Sequence, residues 1–299
     1  GPHDIQLIAA DDYGCADTFV RKDYVYAIDT IRPGPLEINF ISVKDNDWVE
    51  VNWQAYDTLG FFSYNLYRDG GKGEKLVYAS TIPGDTNFSD KGLNVENKAY
   101  SYRVEAVNVC QKSTEPSSPH KSILLKAYSP EHGKSSLYWN HYKGWQPDRY
   151  EVFRRLEGTP SLQKIADVNG ADSFYLDEGL CFERYQYRVR AINSKKQFTS
   201  GSNYKLLRPL YSFPGNIVSK RTTVENDEYV LTEWIDNDSA ENDHYIIDRF
   251  DPEMGWQEDF AISNVERFTD EMVEVDNKPY SYRVRSEDVC GYQDSMPSE

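Results

Sequence analysis

One short pattern is written three times in this chain: Tyr100-Ser101-Tyr102-Arg103-Val104-Glu105-Ala106, Tyr185-Gln186-Tyr187-Arg188-Val189-Arg190-Ala191 and Tyr280-Ser281-Tyr282-Arg283-Val284-Arg285-Ser286. The copies begin 85 and 95 residues apart. Solenoid repeats are shorter, at roughly 20–50 residues, so the spacing implies an array of separate small domains rather than one large enzyme core. The 299 residues then divide into three domains, each near the usual domain size of about 100 residues.

Further landmarks recur in the same order. Trp53, Trp139 and Trp234 each stand 11 residues ahead of a tyrosine: Tyr64, Tyr150 and Tyr245. Each tyrosine opens an alternating segment (Tyr64-Leu66-Arg68, Tyr150-Val152-Arg154, Tyr245-Ile247-Arg249), as expected of a half-buried strand. Then comes an aromatic or apolar residue and an aspartate: Phe88-Ser89-Asp90, Tyr175-Leu176-Asp177, Phe268-Thr269-Asp270. Period-two alternation sorts the faces, so Val49, Val51 and Trp53 share one side of their strand and Tyr102, Val104 and Ala106 share one side of theirs. Asp69-Gly70-Gly71, Glu157-Gly158 and Asn169-Gly170 supply turns. No stretch carries a sustained helical period. The chain reads as all-β sandwiches in tandem.

These landmarks resemble the fibronectin type III family, with its tryptophan on the second strand, tyrosine on the third and a tyrosine-rich sixth strand. The resemblance covers residues 33–299 and implies Ig-like β-sandwiches. It makes Tyr100, Tyr185 and Tyr280 the structural corner, where a hydroxyl ties the preceding crossover to nearby backbone. Leu93, Leu180 and Val273 match the apolar residue upstream. Trp53, Trp139, Trp234, Tyr64, Tyr150 and Tyr245 become core residues. Domain bounds follow at 32–122, 123–209 and 210–299. Residues 1–31 differ: Ile5 to Thr18 is similar to the last hairpin of a PKD-like sandwich, with a linker behind it. Two strands are not a stable unit, so the chain is expected to begin inside a domain, and Gly1-Pro2 is either native or a tag scar. Repeat 1 closes on Lys121-Ser122-Ile123-Leu124-Leu125; repeat 3 reaches Glu299 with no equivalent, so its last strand is expected to be missing.

Composition excludes several function classes. A net charge of −16 disfavours nucleic-acid binding, which needs a positive surface. No apolar run approaches the ~20 residues of a membrane-spanning helix, and no signal peptide is visible. Gly133-Lys134-Ser135 has Tyr128 where a phosphate loop needs glycine. No serine-hydrolase elbow or zincin motif occurs, and the five histidines are scattered. No catalytic residue is assigned.

Three site expectations remain. Asp45, Asp47, Asp236, Asp238 and Asp243 bunch oxygen donors in loops and form a calcium candidate, against solvated turn residues. Trp48, Trp145 and Trp256 lie outside the core-strand position, and they either stack on a sugar as a ligand platform or, the favoured reading, pack against a neighbouring domain. Cys110 and Cys290 occupy equivalent places, Cys15 a similar one, and Cys181 lies in a crossover. Equivalent positions a domain apart exceed the ~7 Å Cα reach of a disulfide. Thiols mostly buried or unpaired are expected, with a Cys110–Cys181 bridge across a domain junction as the alternative.

Tandem fibronectin-like repeats after a PKD-like end, with Val-Cys or Val-Cys-Gly closing the tyrosine strand, resemble the modular surface proteins of gliding Bacteroidetes-type bacteria exported by the type IX system. That resemblance implies a secreted or cell-surface adhesin or stalk without catalysis, a semi-rigid spacer with proline-restricted joints at Arg32-Pro33-Gly34-Pro35 and Arg208-Pro209. Implied partners are neighbouring domains, secretion or surface-attachment machinery, and glycans. The alternatives are accessory domains of a large secreted hydrolase and a carbohydrate-binding array.

Overall fold

The computed structural model describes residues 2–26, 36–56, 60–195, 197–215, 217–237 and 242–294. Among them every regular element is a strand, and no helix is long and apolar enough to cross a membrane. The Arg32–Pro35 joint, Asp238 and the last five residues lie outside the described set.

Pro2–Ala10 and Ala16–Tyr26 form an antiparallel hairpin with Ala10 opposite Ala16. The Asp11 carboxylate closes its turn by accepting the Tyr13 and Cys15 N–H groups, each at 2.9 Å. Both faces stand in solvent; Leu7 is 66% exposed and Phe19 65%.

Three sandwiches follow. In the first, one sheet orders Ile38–Lys44, Trp48–Trp53 and Asn87–Asp90; the other orders Glu74–Ser80, Phe61–Asp69, Ser101–Asn108 and His120–Lys121. The first, second and fifth strands thus form one sheet, and the fourth, third, sixth and seventh the other. That is the strand order of a fibronectin type III sandwich. The second sandwich repeats it with Leu125–Tyr128, Ser135–Trp139 and Phe174–Asp177 in one sheet. Its other sheet runs Gln163–Asn169, Arg149–Leu156, Tyr185–Asn193 and Phe198–Gly201, and Lys205–Leu207 also pairs with Tyr185–Asn193. The third pairs Ile217–Glu225, Tyr229–Asp236 and Arg267–Asp270, and separately Gly255–Ser263, Asn242–Asp251 and Ser281–Asp288. The tyrosine strand is central because its alternation is strict: every second side chain of Ser101–Asn108 is buried, from Tyr102 to Asn108. Trp53, Trp139 and Trp234 are buried beside Tyr64, Tyr150 and Tyr245 in edge-on pairs, with ring centroids 5.7, 5.5 and 5.2 Å apart.

By contact density the chain divides into two units. One holds residues 1–127, 137–175 and 185–206; the other holds 128–136, 176–184 and 207–299.

The closing strand of the first repeat departs from the sequence reading. Among the described residues the closing segment pairs with Ser101–Asn108 only through His120–Lys121 and a lone Val107–Ser113 bridge, and Leu125 already belongs to the next sandwich. Asn140 explains the early exchange: its side chain accepts the Leu124 N–H at 2.9 Å and donates to the Ser122 carbonyl at 3.0 Å. The chain passes between sandwiches within three residues. In the third repeat, the described residues beyond Ser281–Asp288 add one bridge, Glu287 with Gln293.

Candidate functional site

The densest unexpected chemistry is a polar seam between the first and second repeats. Strand Ile38–Lys44 lies along Phe198–Gly201. The Ser200 hydroxyl donates to the Ile41 carbonyl at 2.6 Å, and the Gly201 N–H donates to Ser42 Oγ at 3.0 Å. Arg188 reaches across to the Val43 carbonyl at 2.9 Å. Asn46 closes the far end, accepting the Tyr204 N–H at 2.5 Å and donating to the Tyr204 carbonyl at 3.0 Å. Asn203, fully buried, accepts the Leu125 N–H at 2.7 Å and donates to the Leu125 carbonyl at 3.1 Å. Buried polar groups cost free energy unless bonded, and these are bonded, so the seam specifies one docking geometry. A Cβ at Gly201 would sit 2.3 Å from the Arg188 guanidinium, so a larger residue there would displace that side chain.

Tyr142 anchors the other end of the seam. Its hydroxyl accepts the Ile41 N–H at 3.1 Å and lies 2.7 Å from His120 Nδ1. Burial pushes this phenol well above its ordinary pKa, so it stays neutral. Trp145 packs on Tyr142 with centroids 4.2 Å apart and donates its indole N–H to the Asn39 carbonyl at 2.9 Å. Trp145 is therefore a seam residue.

Trp48 is half-buried on the outer side of its strand. Trp256 is 38% exposed, but the Arg283 guanidinium sits 3.9 Å over its ring and occupies one stacking face.

The described acidic residues of the calcium candidate form no cluster. Asp236 accepts the Tyr245 hydroxyl at 2.9 Å and the Asn242 amide at 2.5 Å. Asp45 and Asn46 both take positive φ in a tight turn that Asp47 closes by donating its N–H to the Lys44 carbonyl at 3.1 Å. Asp243 lies 3.1 Å from its neighbour His244. Among the described residues no three acidic, histidine or cysteine side chains gather as cation ligands.

Two of the corner tyrosines point at backbone. The Tyr100 and Tyr280 hydroxyls accept the N–H groups of Asn94 and Glu274, both at 3.2 Å. Tyr185 lies under the Arg154 guanidinium at 5.4 Å. A second device joins the recurring Arg and Asp to the middle tyrosine. Arg249 bonds Asp270 at 3.1 Å, and the Tyr282 hydroxyl donates to Asp270 at 2.8 Å. Arg68, Asp90 and Tyr102 repeat this at 2.8 and 2.9 Å. Burial first, and then the adjacent carboxylate, raise both phenols far above their ordinary pKa.

In the second unit Cys181 is disulfide-bonded to Cys290, with Cα atoms 5.7 Å apart. Cys110, exposed and free, takes no part, and Cys15 is likewise exposed and free. The expectation of buried or unpaired thiols therefore fails for Cys181 and Cys290, which are paired, while Cys15 and Cys110 are unpaired but exposed; the alternative Cys110–Cys181 bridge gives way to one from Cys181 to the cysteine that matches Cys110 in the third repeat. Cys110 and Cys290 sit in matching turns: Asn108 Oδ1 accepts the N–H groups of Cys110 and Lys112, and Asp288 Oδ1 those of Cys290 and Tyr292. Both ends of the bridge are seated. Leu180 donates to the Gly133 carbonyl and Gly133 to the Leu210 carbonyl, each at 2.9 Å. Phe182, Tyr211, Phe213 and Tyr292 form one aromatic group with centroids 5.2–6.2 Å apart. A cavity of about 440 Å³ beside the bridge is lined by Leu180, Tyr211, Ser212 and Lys134. Lys134 is paired with Glu131 at 3.0 Å and Glu178 at 3.3 Å. Ser212 Oγ lies 3.2 and 3.1 Å from the two nitrogens of His132.

No protein-family model and no curated protein matches the chain. Solved structures do match. The chicken CNTN1 FN1–FN3 domains share 16% identity over 90% of this chain and 96% of that one, with a TM-score of 0.27. The central fibronectin-III array of RIM-binding protein shares 14% over 89% and 97%, with a TM-score of 0.26. A two-domain fibronectin type III segment of chicken tenascin shares 15% over 60% and 99%, also at 0.26. At such scores the fold assignment stands on the strand order within each sandwich. The chain is an all-β tandem array of fibronectin type III-like sandwiches.

Proposed function

We propose that this array is a non-catalytic extracellular spacer that holds a partner domain at a set distance from its anchor. The observation that carries the reading is the seam of the first and second repeats: six directed hydrogen bonds from Ile41, Ser42, Val43 and Asn46 to Tyr142, Arg188, Ser200, Gly201 and Tyr204 stand where a flexible linker would otherwise be. A spacer needs such a joint; an enzyme does not. The disulfide fits an oxidising compartment outside the cytosol. The finer reading is a surface adhesin or stalk of the type IX-exported kind, with the N-terminal hairpin ending a PKD-like domain, neighbouring domains and attachment machinery as partners, and glycans as the candidate target.

Replacement in the whole protein tests this. Residues 36–206 are exchanged for two unrelated sandwiches of similar length, and cell attachment and surface display are scored. A spacer survives the exchange and fails when the segment is deleted. Attachment lost on exchange, with display intact, shows that the side chains themselves recognise a target and overturns the reading. A glycan array on the wild type and on Trp256→Ala then reports whether that target is a sugar.

A further inference from the structure

Cys181 lies inside the second repeat, between strands Phe174–Asp177 and Tyr185–Asn193. Cys290 lies just past Ser281–Asp288, the last described strand of the third. The bridge therefore closes a covalent loop spanning a sequence separation of 109 residues. Inside that loop are the tyrosine strand of the second repeat, everything after it in that repeat, and all six described strands of the third. The first repeat has no such bridge, because Cys110 at the matching turn is free.

We infer that the Cys181–Cys290 bridge is a load bypass. Tension applied along the chain passes from residue 181 to residue 290 through the sulfur–sulfur bond, and the third repeat lies off the load path. A domain is held together by only about 5–15 kcal/mol in total, so noncovalent sandwiches yield to tension long before a covalent bond does. The first repeat and the part of the second up to Cys181 can extend; the third repeat cannot be pulled open from its ends. Its surfaces, including the half-exposed Trp256 and Arg283 pair, stay folded while the array lengthens. The bridge belongs to the native fold, for Leu180 beside it is buried and the Tyr211 hydroxyl, in the same aromatic group, donates to Asp288 at 2.7 Å. The load path follows from chain connectivity alone; its usefulness to the cell rests on the spacer reading.

Single-molecule stretching tests the bypass. The 299-residue chain is tethered at its termini by chemistry that avoids thiols, since Cys15 and Cys110 are free. It is stretched fully, relaxed, and stretched again after dithiothreitol, whose two thiols become a cyclic disulfide as the bridge becomes two thiols. At roughly 3.3–3.6 Å per extended residue, opening the loop of sequence separation 109 should lengthen the stretched chain by about 360–390 Å. Cys181→Ser should show the longer length with no reductant. Equal length before and after reductant overturns the bypass, as does peptide mapping that finds Cys181 joined elsewhere or free. Should Cys181→Ser fail to fold, the before-and-after comparison on one wild-type molecule still decides. The exchange of residues 36–206 reads attachment and removes Cys181 with its segment, whereas reductant and Cys181→Ser read extension in the otherwise native chain, so either idea can fail alone.

Discussion

Removing the carboxylate of Asp270 should open the third repeat. Asp270 is 1% exposed and Arg249 5%, so the change strands a guanidinium inside the sandwich. Breaking one side of a buried ion pair typically costs about 3–5 kcal/mol. Three features place this site at the lower end. Arg249 keeps the Gln257 side chain and the Met272 carbonyl, each at 2.9 Å, and its guanidinium stays 3.9 Å from the centre of the Phe260 ring. Against that, the Tyr282 hydroxyl and the Met272 N–H both lose an acceptor. A loss of about 3 kcal/mol is on the order of a hundredfold in the opening equilibrium, at about 1.36 kcal/mol per decade. Amide exchange across Ser281–Asp288 reads that equilibrium locally, which matters because a multidomain chain has no single unfolding transition. Asp270→Ala should speed exchange there about a hundredfold and leave Ser101–Asn108 unchanged. Arg249→Met with Asp270→Leu should recover most of the loss, since no charge remains buried. Asp90→Ala should cost less, because its partner Arg68 keeps 25% of its side chain in water. Acceleration below about tenfold for Asp270→Ala, or a double variant as labile as the single, would refute the reasoning.

Other outcomes follow from single environments. Burial pushes the Glu151 carboxyl up, but hydrogen bonds from Arg190 and then Arg149 outweigh it and hold it below its ordinary value of 4.5. Its stabilisation is therefore complete above that value and lost as pH falls through the lower folded one; amide exchange of Arg149–Leu156 should rise in acid, and Glu151→Gln should flatten the rise. Asn203→Ala strips Leu125 of both backbone partners and should cost about 1–3 kcal/mol, seen as faster exchange at Leu125–Tyr128. Gly144→Ala would put a Cβ 2.3 Å from the His120 ring at a φ of +126°, so thermal melting of the first unit should fall. The Trp53, Trp139 and Trp234 indole N–H groups are buried with no acceptor among the described residues. An orphaned donor costs about 1–3 kcal/mol, so Trp234→Phe should lose less stability by denaturant than its lost ring area implies.

The sandwiches were legible because their signal is periodic. Alternation put Val49, Val51 and Trp53 on one face, and the same faces are buried. The Arg–Asp–Tyr device uses residues that recur visibly, yet separations of 22 and 12 residues acquire meaning only after two sheets face each other. The seam was hidden for a different reason. Thr199-Ser200-Gly201-Ser202-Asn203 has the small polar composition of a turn, and nothing local shows that its hydroxyls and amide will be buried against Ile41 and Leu125. The disulfide was beyond reach in principle, since four cysteines admit several pairings and spacing does not select one.

The repeats and their departures from repetition carry different information. Residues common to all three copies, such as the core tryptophan and the tyrosine strand, satisfy each sandwich internally and would do so in any order. A joint is made by residues present in one copy only. Cys181 stands in the second repeat alone, and its partner Cys290 uses a turn that the first repeat builds around a free thiol. Tyr142, Trp145 and Ser200 likewise serve only the neighbour they touch. A graft makes the distinction measurable. Cys110→Ser should leave every sandwich and the Cys181–Cys290 bridge intact, because its turn is held by Asn108 and not by sulfur. Asn108→Ala should loosen that turn while the thiol remains. If Cys110→Ser instead destabilised the first repeat as much as Asn108→Ala, the cysteine would be part of the sandwich, and the separation between fold-holding and joint-making residues would fail.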